Sequence, residues 1–157
     1  MALSVARRRT AGDSPAHLTA QMLRRAATLF AVGLALNLIP YFEFATVRIP
    51  GVLQRIALCI AIAAPLVIYC GWRAQAVAVG ALLTVYGAVM LWLPVPDLQG
   101  QVQAGVLEPG RDAGAFIDRT LLGGHLWVQS RTWDPEGLLS TLPAAASLLF
   151  GVLTAHG

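Results

Sequence analysis

Four long apolar stretches dominate the chain and predict its helices. They run from Ala26 to Phe44, from about Val52 to Gly71, from Ala74 to Leu93, and from Leu138 to the end. None alternates apolar and polar residues as barrel strands do, and backbone groups in lipid must bond within their own segment, so each is predicted to be an α-helix. Each approaches the roughly 20 residues that span a bilayer core. The expected fold is therefore an all-α, polytopic transmembrane helical bundle of about four spans.

The composition also favours a membrane protein. Of 157 residues, 57% are hydrophobic and 12% are charged, and the mean hydropathy is +0.66. Soluble domains usually carry about 25% charged residues, so the deficit argues against a disordered chain, a soluble nucleic-acid binder and an ordinary cytosolic enzyme. The lipid bilayer is the expected partner, and nucleic acid is not.

The arginines predict an orientation. All 11 basic residues are arginine; five precede the first apolar stretch, and Arg73 separates the second from the third. Short arginine-rich segments face the cytoplasm. The connection over 95–137 carries three arginines against six acids and is expected outside. The predicted organisation is a cytoplasmic basic segment at 1–25, three transmembrane helices over 26–94, a periplasmic loop with a short helix over 95–137, and a truncated fourth transmembrane helix over 138–157.

The two cysteines predict neither a disulfide nor a metal site. Cys59 and Cys70 lie 11 residues apart in one apolar run. On a helix they would be roughly 16 Å apart, too far for a disulfide, so we interpret them as small apolar fillers. His125 has no second histidine at ligand spacing, and no metal is expected.

An arginine-bearing stretch opens the second span, in the order Arg48-Ile-Pro-Gly-Val-Leu-Gln54-Arg55. Arg55 is predicted to lie about one turn inside the membrane helix, where a charge normally faces a cavity or a partner. One interpretation is an anion or carboxylate contact inside the bundle, with Gln54 beside it and Glu43 as a partner. The other is that Arg48 and Arg55 reach the headgroups at the outer interface.

The loop over 95–137 carries the remaining candidate chemistry. Its first part, from Asp97 to Arg111, is rich in Gly and Gln and is predicted to be irregular. From Ala113, apolar spacing predicts a short helix that could lie on the membrane surface. His125 is a general-base candidate, although a hydrogen-bonded loop role is the commoner one. Trp127 and Trp133 suit either interface anchoring or stacking on a sugar.

The acidic stretch Trp133-Asp134-Pro135-Glu136-Gly137 resembles a helix start. Asp before Pro fits an N-cap followed by Pro at the first helical position, and Glu136 then lies in the first turn. Capping and the helix dipole would explain much of this acidity. Direct contact with a ligand is the alternative for Asp134.

Three stretches together resemble one family: RIPGVLQRIALC, AGAFIDRTLLGGHLW and TWDPEGLLSTLPA. In this order and spacing they resemble the heparan-α-glucosaminide N-acetyltransferase family and its bacterial inner-membrane relatives linked to amino-sugar metabolism. The resemblance covers most of the chain. It implies a multi-pass bundle of about ten or eleven spans that moves an acetyl group from cytoplasmic acetyl-coenzyme A to the amine of a terminal glucosamine across the membrane.

The resemblance also sets expectations for individual residues. Asp118, Asp134 and Glu136 would help to hold the amino sugar, with His125 and Trp127 as further candidates. Arg48 and Arg55 would organise the outer mouth of the transmembrane cavity, by ion pairs or by contact with the acyl donor, and Gln54 adjoins Arg55 in the same motif.

The family's catalytic histidine lies upstream of the matching region, and no position here matches it. The catalytic residue is therefore unknown, and the chain resembles an internal fragment. Two alternatives stay open: a component of an amino-sugar transporter or permease, and an inactive truncated remnant. The Gly-rich and aromatic outer segments also permit a homodimer.

Overall fold

The computed structural model describes residues 12, 14–39 and 42–155. These residues form five α-helices, a two-stranded antiparallel hairpin and a 3-10 turn. The arginines at 7–9, counted in the predicted basic segment, and the last two residues of the predicted fourth span lie outside this part. The elements are α1 (Pro15–Leu38), α2 (Val52–Tyr69), α3 (Trp72–Trp92), β1 (Val95–Pro96), β2 (Val102–Gln103), α4 (Ala113–Leu122), the 3-10 turn (Gly123–His125) and α5 (Thr141–Thr154).

Helix α1 begins well before the predicted start at Ala26. Ser14 caps it by accepting a hydrogen bond from the backbone N–H of His17 (3.2 Å), and Pro15 occupies the first helical position. The helix ends at Leu38, two residues before Pro40, because a proline disfavours helical geometry in the residue preceding it. Its mostly apolar part, from Ala26 to Leu38, is 13 residues and includes Thr28 and Asn37. That part measures roughly 20 Å, less than the ~30 Å bilayer core.

Helices α2 and α3 are the two that are long and apolar enough to cross a membrane, by length and composition. Their mean hydropathies are 2.0 and 1.8, and 39% of the apolar window of α2 is buried inside the structure. For α3 the buried share is only 6%. An apolar helix of this length with so little cover within its own chain needs lipid or another protein around it.

The prediction of four spans is not supported. Helix α5 has 14 residues, which is roughly 21 Å of helix, and α1 contains Arg24 and Arg25 within its length. Helix α1 packs against α2, and α5 packs against both α2 and α3. Among the described residues the mostly helical architecture is confirmed, with two candidate spans.

The core lies where α1, α2 and α5 meet. Leu18, Ile68 and Leu149 are completely buried there, and each large apolar side chain contributes on the order of 1.5–3 kcal/mol on burial. The buried cluster consists of Leu18, Met22, Ala63, Ala64, Val67, Ile68, Leu149 and Val152.

The connection between α3 and α5 is more ordered than expected. Strand β2 lies in the part predicted to be irregular and pairs with β1 just before it. The Asp97 carboxylate closes the turn between them by accepting from the N–H groups of Gln99 (2.8 Å) and Gln101 (2.9 Å). The predicted short helix is confirmed as α4. Asp112 caps its first turn by accepting from the Ala115 N–H (2.8 Å). The structure thus places α4 and the segment after it over one end of the helices.

Candidate functional site

Arg48 joins two parts of the chain that are 86 residues apart. From the α1–α2 connection, its guanidinium donates to Asp134 through Nε (2.8 Å) and Nη2 (2.6 Å), and it also pairs with Glu136. The Asp134 side chain is wholly buried. A buried carboxylate needs a charged partner, and the two-pronged geometry of an arginine supplies the strongest kind of hydrogen bond. We call Arg48, Asp134 and Glu136 the ion-pair cluster.

The backbone around Arg48 is anchored on two sides. The Asn37 amide at the end of α1 donates to the Arg48 carbonyl (2.8 Å). His125 bonds the same segment twice: its Nδ1 lies 2.9 Å from the Val47 carbonyl oxygen, and its own carbonyl accepts from the Ile49 N–H (3.0 Å). Because a carbonyl oxygen can only accept, Nδ1 carries the proton. The predicted loop role of His125 therefore fits its contacts, and it does not line either cavity described below.

Trp127 lies against the ion-pair cluster, and Trp133 lies against Trp127. The Arg48 guanidinium carbon lies 5.9 Å from the centroid of the Trp127 ring, a cation–π distance. The Trp127 and Trp133 rings meet edge to face, with centroids 6.0 Å apart and planes at 76°. Both side chains are half-buried. Trp127 is thus placed beneath the arginine, whereas Trp133 lines a cavity.

The cavity beside Trp133 is acidic. It has a volume of about 180 Å³, and Asp112, Asp118 and Asp134 all line it. Tyr86 and Met90 of α3 close one wall. We call this space the acidic cavity.

Asp118 is the carboxyl group of the site whose pKa is shifted. Its residue is only 3% exposed, and its Oδ1 accepts from the Leu138 N–H (2.9 Å). Burial raises the pKa of Asp118 to about 6, with smaller contributions from the negative charges of Asp134 and Asp112. Its neighbour Arg119 donates instead to the carbonyls of Gly110 (2.6 Å) and Thr132 (3.0 Å). Asp118 therefore lacks an ion-pair partner among the described residues.

Gly137 is required for Asp118 to sit where it does. A Cβ built on Gly137 would lie 2.0 Å from Asp118 Oδ2 and 2.8 Å from its Cγ. Any larger side chain at this position would displace the Asp118 carboxyl group or the turn. The glycine of the acidic stretch thus has a packing reason, which the sequence did not show.

A second, larger space lies on the other side of the ion-pair cluster. It has a volume of about 710 Å³, and its polar lining comes from Asn37, Glu43, Thr46, Arg48 and Arg131. Arg131 holds a left-handed backbone, with φ of 56°. Leu126 and Val128 add apolar surface. We call this space the outer groove.

The predicted helix start at Asp134 is wrong. Helix α5 begins at Thr141, and residues 135–140 form turns. Asp134 caps one of these turns, because its Oδ1 accepts from the Glu136 N–H (3.0 Å) and its carbonyl from the Gly137 N–H (3.0 Å). The Asp-Pro pair therefore acts on a turn, and the Asp134 carboxylate serves Arg48 as well.

Gln54 and Arg55 lie near the cluster without joining it. Gln54 is 3% exposed and wedged between α1 and α2, where its Oε1 would clash with a Cβ on Gly33 or Gly51. Its Nε2 has no hydrogen-bond partner among the described residues. Arg55 is the fourth residue of α2, one turn inside as predicted, and donates to the Pro135 carbonyl at 3.4 Å.

Glu43, suggested from sequence as the partner of Arg55, does not pair with it. Its carboxylate accepts from the Thr46 hydroxyl (3.1 Å), and the described residues record no Glu43–Arg55 ion pair.

Sequence reasoning missed several residues of the acidic cavity: Tyr86, Met90, Asp112 and Ser140. Tyr86 and Met90 are four residues apart and so share one face of α3, but nothing in that apolar run connects them with the distant loop. Asp112 had a local signal, a short acid just before a helical pattern, which is typical of an N-cap.

Among the described residues, no three His, Cys, Asp or Glu side chains are arranged to hold a metal ion. Compared with known proteins, the chain matches no protein-family model and no curated protein. The resemblance to the N-acetyltransferase family therefore stays a prediction that rests on the three sequence stretches.

Proposed function

We propose that the chain is the acceptor-binding part of a membrane-bound acyltransferase that moves an acetyl group from acetyl-coenzyme A to an amino sugar of the glucosamine type. The observation that carries this proposal is Asp118, a buried carboxyl group without an ion-pair partner in an acidic cavity. An ammonium group is the cation that such a cavity would favour, and an aromatic wall such as Trp133 suits the apolar face of a sugar ring.

The pKa of Asp118 suits the chemistry of an amine. An ammonium ion must lose a proton before its nitrogen can attack an acyl group, and a base works best when its pKa lies near the working pH. With a pKa of about 6, Asp118 is ionised at neutral pH and is a stronger base than an ordinary aspartate. In this proposal Asp118 binds the ammonium group and takes up its proton once the sugar is in the cavity, whereas Asp134 is paired with Arg48 before the sugar enters.

The size of the acidic cavity limits what it can hold. Its 180 Å³ corresponds to about six waters at roughly 30 Å³ each. That is room for the amino-bearing edge of one sugar ring, with the remainder of the ring at the mouth. A long ligand would not fit inside.

The acetyl donor does not fit the same cavity. Its phosphate groups would face Asp112, Asp118 and Asp134, and the nearby Arg48 is already engaged by two carboxylates. We therefore assign the acidic cavity to the acceptor and no described residue to acetyl-coenzyme A.

We further propose that the chain resides in a bacterial inner membrane with the ion-pair cluster on the periplasmic side. The two apolar helices α2 and α3 support membrane embedding. The acidic balance of residues 95–137, against the arginines at 24–25 and 73, supports the orientation.

Binding of glucosamine to the chain in lipid nanodiscs tests the acceptor proposal. We expect glucosamine to bind more tightly than glucose, and Asp118→Asn to weaken glucosamine binding by about tenfold, since an ion pair to a buried group is worth at least ~1.4 kcal/mol. Glu108→Gln is the matched control, because Glu108 is exposed and outside the cavity. Equal affinity for glucose and glucosamine, or no effect of Asp118→Asn, would contradict the proposal.

An amino-sugar transporter is the second candidate. It is favoured by the presence of two spaces, the outer groove and the acidic cavity, separated by one ion-pair cluster beside membrane helices. Uptake of radiolabelled glucosamine into vesicles without acetyl-coenzyme A would favour transport. Acetylation of glucosamine only when acetyl-coenzyme A is present would favour the transferase.

A further inference from the structure

The ion-pair cluster lies between the two spaces. Asp134 lines the acidic cavity but not the outer groove, and Arg48 lines the outer groove but not the acidic cavity. The two side chains are joined by hydrogen bonds of 2.6 and 2.8 Å. The wall that separates the spaces at this point is therefore a pair of opposite charges.

This wall is held from both sides. On the groove side, the Arg48 carbonyl is fixed by Asn37, and the guanidinium rests on Trp127. On the cavity side, the Asp134 oxygen Oδ1 also accepts from the Glu136 N–H. An arginine side chain can swing away by rotating its own bonds, whereas Asp134 is tied to the turn that it caps. Arg48 is thus the movable half of the wall.

We propose that the Arg48–Asp134 pair is a partition between the outer groove and the acidic cavity, and that Arg48 is a specificity-determining residue that limits what passes from one to the other. A ligand that carries an ammonium group can replace the guanidinium at Asp134 and Glu136, so it opens the partition by exchanging one cation for another. A neutral or anionic ligand of the same size offers no such exchange and stays in the groove. Only the identity of this ligand rests on the proposed function; the partition itself does not.

Thiol labelling tests the partition without any ligand. The starting chain carries Cys59→Ala and Cys70→Ala, in nanodiscs. One reporter is S140C in the acidic cavity, and the other is T46C in the outer groove. A bulky, membrane-impermeant cationic methanethiosulfonate is added, and mass spectrometry follows its rate of attachment. We expect the T46C thiol to react faster than the S140C thiol.

Removal of Arg48 should open the path. We expect R48A to raise the labelling rate of S140C by about tenfold, equivalent to roughly 1.4 kcal/mol of preference for the closed partition. The rate at T46C should not change. R131A is the matched control, because Arg131 also lines the groove but takes no part in the ion-pair cluster, and it should leave S140C slow. An unchanged S140C rate in R48A, or an equal increase in R131A, would overturn the proposal.

A replacement variant covers the case in which R48A does not fold, and a ligand experiment tests the acceptor separately. If R48A loses helicity by circular dichroism, R48K replaces it; a lysine cannot make the two-pronged contact, so an intermediate increase is expected, and a rate equal to that of the parent would overturn the proposal. Glucosamine is then added to the parent and to R48A. If glucosamine slows the labelling of S140C, the proposed function is supported. If R48A speeds the labelling of S140C but glucosamine does not slow it, the partition stands and the assignment of the acidic cavity to the acceptor is wrong.

Discussion

Gly137→Ala is the substitution whose effect the structure fixes most sharply. The new Cβ would lie 2.0 Å from Asp118 Oδ2 and 3.0 Å from Oδ1, so the carboxyl group or the turn must move. Overpacking of this kind costs about 1–3 kcal/mol, and losing the hydrogen bond from the Leu138 N–H to Asp118 costs about 1.5–3 kcal/mol. Because some relaxation is shared between the two, we expect a total of about 2–4 kcal/mol.

Thermal unfolding in a mild detergent measures this cost, with tryptophan fluorescence as the signal because Trp133 lines the same cavity. At roughly 2–4 °C per kcal/mol for a chain of this size, the Tm should fall by roughly 5–15 °C. Gly151→Ala is the matched control. A Cβ there meets nothing within 4 Å, and alanine is the better helix former, so Tm should stay level or rise.

A double-mutant cycle decides whether the cause is the contact with Asp118. In an Asp118→Ala background the clashing oxygens are absent, so Gly137→Ala should cost far less than in the parent. An equal cost in both backgrounds would show that Gly137 matters for another reason, and the argument from Asp118 would fail.

Three further predictions concern charge. Because the pKa of Asp118 is raised, the folded state binds this proton more tightly than the unfolded state does. The free energy of unfolding should therefore fall as pH rises from about 4 to 6. Asp118→Asn should flatten that slope in pH-dependent melts. Arg48→Ala leaves buried Asp134 without its cation and should cost roughly 2–4 kcal/mol in denaturant titrations. Arg111→Ala should cost much less, because Arg111 is itself exposed in its ion pairs with Glu108 and Asp97. His125→Ala should lower Tm while leaving the relative preference for glucosamine over glucose intact, because His125 contacts the backbone of residues 47–49 and neither cavity; loss of that preference would show a direct role.

The sequence predicted the helices best where the apolar pattern is uninterrupted. Helices α2 and α3 lie close to their predicted bounds because no charged residue lies within them beyond the first turn. Helix α1 was misjudged at its start, since the capping Ser14 and Pro15 set the boundary rather than the apolar pattern. Helix α5 starts later than expected because the Asp-Pro pair closes a turn first.

The sequence predicted individual residues of the candidate site but not the contacts between them. Asp118, Asp134 and Glu136 were singled out for their charge, and the structure brings Asp118 and Asp134 to one cavity. The pairing of Arg48 with Asp134 spans 86 residues, and no local pattern encodes a contact of that separation. The dependence of Asp118 on Gly137 is a steric fact of tertiary packing, visible only when the turn is folded over α4.

The separation of 86 residues between Arg48 and Asp134 has a consequence for biogenesis. At about 5–20 residues per second, the ribosome makes Asp134 roughly 4–17 s after Arg48. During that interval α2 and α3 emerge, and the Arg48 guanidinium has no carboxylate from the later segment to bind. The cluster must therefore assemble after both apolar helices are made, when residues 134–136 dock onto the Arg48 guanidinium. Until that docking occurs, the nascent chain exposes an uncompensated charge beside apolar surface, which is the form that quality-control proteases and chaperones would meet.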